Sequence, residues 1–162
     1  MLRKTIGVGL LSLAGLVAVP ATAHADITAF FGVGQGPETR TAKGLSFGVS
    51  LIVVGFEVEY SDISAKTDVG AVAPRLRTGM VNAVVQTPTS SVQLYATAGV
   101  GGYRENSVGD TETSTAINLG GGVKMSLMGP LRLRLDYRLF TLRGNPAAKT
   151  VHRLYAGVNT SF

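Results

Sequence analysis

LRLRLDYRLFTL, residues 131–142, decides the fold. Leu131, Leu133, Leu135, Tyr137 and Leu139 share one parity, and Arg132, Arg134, Asp136 and Arg138 share the other. A period of two is the signature of a strand with one apolar and one polar face; a helix would spread the arginines around its circumference.

The same alternation recurs along the chain. Leu45, Phe47, Val49 and Leu51 alternate with Ser46, Gly48 and Ser50; Phe56, Val58 and Tyr60 alternate with Glu57, Glu59 and Ser61. In 94–103, Leu94, Ala96, Ala98 and Val100 oppose Tyr95, Thr97, Gly99, Gly101 and Tyr103. In 117–127, Ile117, Leu119, Val123, Met125 and Leu127 oppose Asn118, Gly120, Gly122, Lys124 and Ser126. In 152–162, Leu154, Ala156, Val158 and Phe162 stand against Arg153, Tyr155, Gly157, Asn159 and Ser161. Segments 26–34 and about 76–86 alternate less cleanly; in the latter, Val81, Ala83 and Val85 share a parity with Arg77 and Gly79, which leaves its faces unassigned.

These segments make eight strands. Long polar connections, QGPETRTAKG (35–44), KTDVGAVAPR (66–75), ENSVGDTETS (105–114) and RGNPAAKT (143–150), alternate with tight ones near Val53-Val54, Thr87-Pro88-Thr89-Ser90 and Met128-Gly129-Pro130. The long connections read as loops of about 8 to 12 residues built on Gly, Pro, Asn and Asp turn chemistry. Strand follows strand with no room for crossover helices, so parallel pairing is excluded. The expectation is an all-β, eight-stranded antiparallel up-and-down barrel.

Composition fits. The 162 residues are 45% hydrophobic and 15% charged, with no cysteine, and the mean hydropathy is +0.27. A disordered chain, a disulfide scaffold, a thiol nucleophile and a Cys-based zinc site are excluded. Residues 1–25, MLRKTIGVGLLSLAGLVAVPATAHA, have a basic start, an apolar stretch from Ile6 to Val19, and Ala23 and Ala25 at the two positions a signal peptidase reads. Residues 1–25 are thus read as a signal peptide and 26–162 as the barrel domain. An uncleaved anchor is the alternative, although the apolar stretch falls short of the ~20 residues a spanning helix needs. Removing Arg3 and Lys4 lowers the formal charge from +5 to +3, too little to argue for a nucleic-acid partner.

A soluble barrel turns its apolar face inward and a membrane barrel turns it outward. Glycines decide between them. Gly99, Gly101, Gly120, Gly122 and Gly157 lie on the polar parity. They would weaken a solvent-facing sheet, but they suit a narrow lumen where small residues sit beside large ones, here Tyr95, Tyr103 and Tyr155. Strands of ~9–11 residues match a membrane barrel, as do long connections at one end and tight turns at the other.

YATAGVGGY (95–103), INLGGGVKM (117–125), LRLDYRLF (133–140) and the ending LYAGVNTSF (154–162) resemble the small outer-membrane β-barrel family of the porin-opacity type. The resemblance covers the mature chain. It implies the bacterial outer membrane as location, outer-membrane lipid and the barrel-assembly machinery as partners, and a monomer. It also implies that Tyr155, Gly157 and Phe162 form the C-terminal assembly signal; Thr160 stands where the family prefers a hydrophobic residue.

An eight-stranded lumen is just wide enough for side chains to fill it. Strands three and seven face each other across it, so Glu57 and Glu59 are expected to meet Arg132 and Arg134, with Lys124, Asp136 and Arg138 nearby. Buried charges must be paired. The expected result is a salt-bridge plug, with a charged pore or a catalytic carboxylate pair as alternatives. Other chemistry is thin. Gly32-Val33-Gly34-Gln35-Gly36 lacks the following helix a phosphate cradle requires. Glu105, Asp110 and Glu112 share a connection that could attract cations but reads as solvated. A lipid A deacylase family uses a His-x-Ser-Asn motif; His152-Arg153-Leu154-Tyr155 lacks its Ser and Asn. No cofactor or metal is expected. The expected function is that of a non-enzymatic barrel with a plugged lumen, acting through surface loops in adhesion, recognition or envelope integrity. A narrow channel for small solutes, or a lipid-modifying enzyme, is the alternative.

Overall fold

The computed structural model describes residues 23–68, 71–88, 91–107 and 109–162. Of the expected signal peptide, 1–22 lie outside the described residues. Among the described residues ten strands follow in order: β1 (His24–Gln35), β2 (Thr39–Leu51), β3 (Val54–Ile63), β4 (Lys66–Asp68), β5 (Ala71–Ala73), β6 (Arg75–Gln86), β7 (Val92–Ser107), β8 (Asp110–Met128), β9 (Leu131–Leu142) and β10 (Thr150–Ser161). Eight of them close an antiparallel barrel in the order β1-β10-β9-β8-β7-β6-β3-β2, and β4 and β5 form a separate small hairpin. Closure is made at the chain ends, where Asp26 lies opposite Ser161. The Ala25 N–H donates to Phe162 O at 3.0 Å, and the Phe162 N–H donates to Ala25 O at 2.9 Å. A closed ladder leaves no unpaired edge, the condition for a sheet to stand in hydrocarbon. Both ends therefore share one rim with the tight turns, and the longer hairpins project from the other. The expected cleavage point, between Ala25 and Asp26, falls at the start of β1.

Three of the expected long loops are mostly strand. β2 resumes at Thr39, leaving only 36–38 as a turn; β7 and β8 run to Ser107 and from Asp110; and 66–73 carries the β4–β5 hairpin. Gly109, at φ 85°, supplies the left-handed residue of the β7–β8 turn. Of the four expected long loops, 143–149 is the one that remains an irregular connection among the described residues. Polar side chains made these stretches look like loops, but a barrel wall that has left the bilayer is polar outside as well.

The wall's middle is apolar on its outer surface. Phe56, Leu119, Leu45, Val58, Val100 and Leu154 are all more than half exposed, and Leu135 and Tyr137 lie on the same face. The alternating parity thus points outward, as the membrane reading requires. Segment 76–86 resolves in the same way, with Val81 and Val85 exposed and Asn82, Val84 and Gln86 buried. In 26–34, Phe31 faces out and Phe30 in.

Candidate functional site: the filled lumen

Strand parity delivers the charged side chains to the barrel axis, where four carboxylates (Asp26, Glu57, Glu59, Asp136) meet four cations (Lys124, Arg134, Arg138, Arg153). All eight are buried. Lys124 Nζ lies 2.6 Å from Asp26 Oδ2, nearest the rim that holds the chain ends. Arg134 pairs with Glu57 and, at 3.2 Å, with Asp136. Arg138 touches three carboxylates, Glu57 at 2.7 Å, Glu59 at 3.0 Å and Asp136 at 3.0 Å. Arg153 donates to both oxygens of Glu59, at 2.7 and 2.8 Å. Neutral groups complete the shell: the Tyr95 hydroxyl donates to Asp136 and accepts from Arg134 Nε at 2.8 Å, and Asn82 donates to Glu57 at 3.3 Å. The charges balance, as burial demands.

Two expectations need correction. Arg132 does not join Glu57 and Glu59: it lies nearer the rim, half-buried, and donates to Gln93 Oε1 at 2.8 Å. The cations across from the glutamates are Arg134, Arg138 and Arg153. Arg153 and Asp26 were missing from the expected set. The parity of 152–162 already placed Arg153 inward; its height on the axis, which puts it beside Glu59, depends on the closed register.

Above Arg153 the chemistry changes. Its guanidinium carbon lies 4.8 Å from the ring centres of Phe30 and Phe140 and 5.1 Å from that of Tyr155, within cation–π range. Tyr155 itself stacks on Phe30 at 4.1 Å. Beyond these rings, Ile63, Leu76, Met80, Tyr103, Leu142 and Val151 form a buried apolar cluster. The outer end is closed by polar contacts to the connections. The Tyr103 hydroxyl donates to Arg143 O at 2.5 Å, Arg40 donates to Pro74 O, and Glu105 and Glu112 accept from the Ala147 and Asn145 N–H groups at 2.9 and 3.1 Å. Two of the three acids considered as a cation cluster thus hold 143–149 in place; Asp110 accepts from its neighbour Thr111 N.

Glycines make room for this filling. A Cβ on Gly122 would run into Leu135 O and the Tyr95 hydroxyl, and one on Gly32 into Leu154 O and Tyr155. Beneath the network, the space lined by Asp26, Gly48, Glu57, Lys124 and Arg134 is about 10 Å³, the least that holds one water.

The remaining candidates lie apart. His152 faces outward, and its Nδ1 is 2.7 Å from the Tyr137 hydroxyl. Tyr155 and Gly157 point inward, whereas Phe162 is exposed at the rim. Ala23 is exposed ahead of β1. Among the described residues, no group of His, Cys, Asp or Glu is arranged to hold a metal ion.

The family model of the outer membrane protein beta-barrel domain matches residues 9–162. This chain belongs to that family. It is an integral β-barrel of the bacterial outer membrane whose interior is filled by side chains. Among solved structures, Neisserial surface protein A is similar at 18% identity and a TM-score of 0.69, over 86% of this chain and 97% of that one. The N-terminal β-barrel domain of Pseudomonas aeruginosa OprF follows at 19% and 0.62, with the same coverages. Ail, the attachment invasion locus protein of Yersinia pestis, is similar at 14% and 0.53, again over 86% and 97%. At these identities the likeness is one of fold. No curated protein matches the chain in sequence.

Proposed function

We propose that this outer-membrane barrel conducts no solute, catalyses no reaction and acts through what it presents outside the membrane, in adhesion, recognition or envelope integrity. The observation that carries this reading is the stacking of two fillings, a neutral network of four acids and four bases under an apolar cluster, along one narrow axis. An ion entering would have to break several buried pairs and then cross apolar side chains. The hairpin β7–β8 supplies the longest outer projection. Attachment, the role in the name of the Yersinia protein, is work a sealed barrel can do. Refolded protein in planar lipid bilayers is expected to show no steady current. Sustained unitary steps would favour the narrow channel instead.

Biogenesis belongs to the same proposal. Signal peptidase cuts after Ala25, the assembly machinery reads the end at Tyr155, Gly157 and Phe162, and the product is a monomer in lipid. The exposed Phe162 ring, on a backbone that closes the ladder, supports this reading. Deleting Phe162 is expected to lower outer-membrane levels in cells far more than refolding in detergent, as read by gel mobility with and without boiling. Equal losses in both would refute recognition of that residue. N-terminal sequencing of the mature protein is expected to begin at Asp26.

A further inference from the structure

A row of cations crosses the outer surface of the wall where its apolar band ends. Lys43, Asp62, Arg77 and Arg104 are successive register partners on β2, β3, β6 and β7, and Arg75 lies two residues from Arg77 on the same face. The row holds four cations and one carboxylate, and that carboxylate engages Arg75 and Arg77. Asp62 accepts from Arg75 Nε at 2.9 Å and lies 3.7 Å from Arg77 Nε. The nearby Glu38 is engaged by Lys66 at 3.5 Å. Arg77 and Arg104 are direct cross-strand neighbours with the same charge, an arrangement that destabilises a sheet unless an anion bridges it. Arg77 Nε is buried from solvent and has no hydrogen-bond acceptor.

The wall below this row is shaped for a chain. Gly79 and Gly102 pair directly beneath Arg77 and Arg104. Unlike the lumen glycines, they are not required by packing. A Cβ on Gly79 would meet nothing within 4 Å, and one on Gly102 only Ser114 O at 3.7 Å. Two glycines side by side weaken a ladder, yet here they leave the outer surface bare. Next below them on the wall, a shallow open groove of about 450 Å³ lies over Val81, Ala83, Ala98 and Val100, bordered by Phe56 and Ile117.

We propose that this surface holds a phosphate-bearing glycolipid of the outer leaflet, with a headgroup phosphate between Arg77 and Arg104 and an acyl chain in the groove beneath them. Charge complementarity selects the phosphate. The position on the lipid-facing wall, at the edge of its apolar band, selects a lipid over a soluble anion. From Lys43 to Arg104 the row spans three strand spacings, about 14 Å, which lets a disaccharide headgroup with phosphates at both ends lie along it. Asp62 keeps Arg75 and Arg77 extended along the wall.

The test uses full-length mature protein refolded in detergent, with diphosphorylated lipid A, its dephosphorylated form and inorganic phosphate as probes, and binding read by native mass spectrometry. The parent is expected to prefer the diphosphorylated lipid by about tenfold or more, and R77Q/R104Q is expected to abolish that preference. G79L/G102L, whose side chains have room to stand, is expected to weaken both lipids while keeping the preference. Heat-modified gel mobility verifies that each variant is folded. Retention of the preference in R77Q/R104Q overturns the phosphate site, and unchanged lipid binding by G79L/G102L overturns the groove. Inorganic phosphate that displaces the lipid at equal concentration overturns the assignment to a lipid.

Discussion

Four acids and four bases fill the periplasmic half of the lumen, whereas Ile63, Leu76, Met80, Phe140, Leu142 and Val151 fill the extracellular half. The difference follows from what lies outside the wall. In the bilayer, the outer face must be apolar, so the polar residues that give strands their alternation can only turn inward, where they must pair. Above the bilayer, the wall stands in water and the ordinary hydrophobic effect returns. The faces therefore exchange polarity along single strands. On β6, Arg75 and Arg77 face out around Leu76, whereas lower down Val81 and Val85 face out around Asn82 and Val84. On β10, Thr150 and His152 face out around Val151, and then Leu154 and Val158 face out around Tyr155 and Asn159. Arg153 stands at the changeover, with its charge toward Glu59 and its plane among three aromatic rings.

The two halves should respond differently to substitution. The ionic half is directional, because each charge needs its own partner in reach. Replacing Glu57 and Glu59 together with Gln removes two of the four carboxylates and leaves Arg153 without its acid. The expected loss is about 3–5 kcal/mol, measured by urea unfolding in lipid vesicles. An unchanged midpoint, with no coupling to Arg134 in a double-mutant cycle, would make the network irrelevant to stability.

Next in size is a test of the outward parity on which the polarity exchange rests. Leu135 lies between Arg134 and Asp136 but on the opposite face. Leu135→Arg is expected to weaken insertion by about 2–4 kcal/mol, the cost of arginine on the lipid face near the midplane. Insertion as efficient as the parent's would reverse the assignment.

A smaller change should sharpen the contrast. The apolar half is held by non-directional burial and should tolerate loss of one methyl: Ile63→Val is expected to cost about 1 kcal/mol. A loss as large as that of the double Gln variant would show the apolar half to be as exacting as the ionic one. Smallest of all, Arg132→Gln is expected to cost about 0.5–1 kcal/mol, because its site is half-buried near the rim and its side chain meets Gln93 rather than the glutamates. A loss approaching that of the double Gln variant would return Arg132 to the network.

The register of 131–139, 55–61 and 94–103 was legible because in the bilayer zone every second residue is apolar. That regularity carried the strand count, the antiparallel order, the outward face and the inward direction of Glu57, Arg134, Asp136 and Arg138. It failed where the polarity exchanges. Segment 76–86 looked ambiguous because Arg77 and Val81 share one face across the edge of the bilayer, and TRTAKG (39–44) looked like a loop because Thr39, Thr41 and Lys43 face water on an extended strand. Parity depends only on neighbours in sequence, so the chain determined it alone. The place where lipid gives way to water, and the heights at which Arg153 meets Glu59 and Lys124 meets Asp26, depend on the shear of a closed sheet that joins residues about a hundred positions apart; only the tertiary structure decided them.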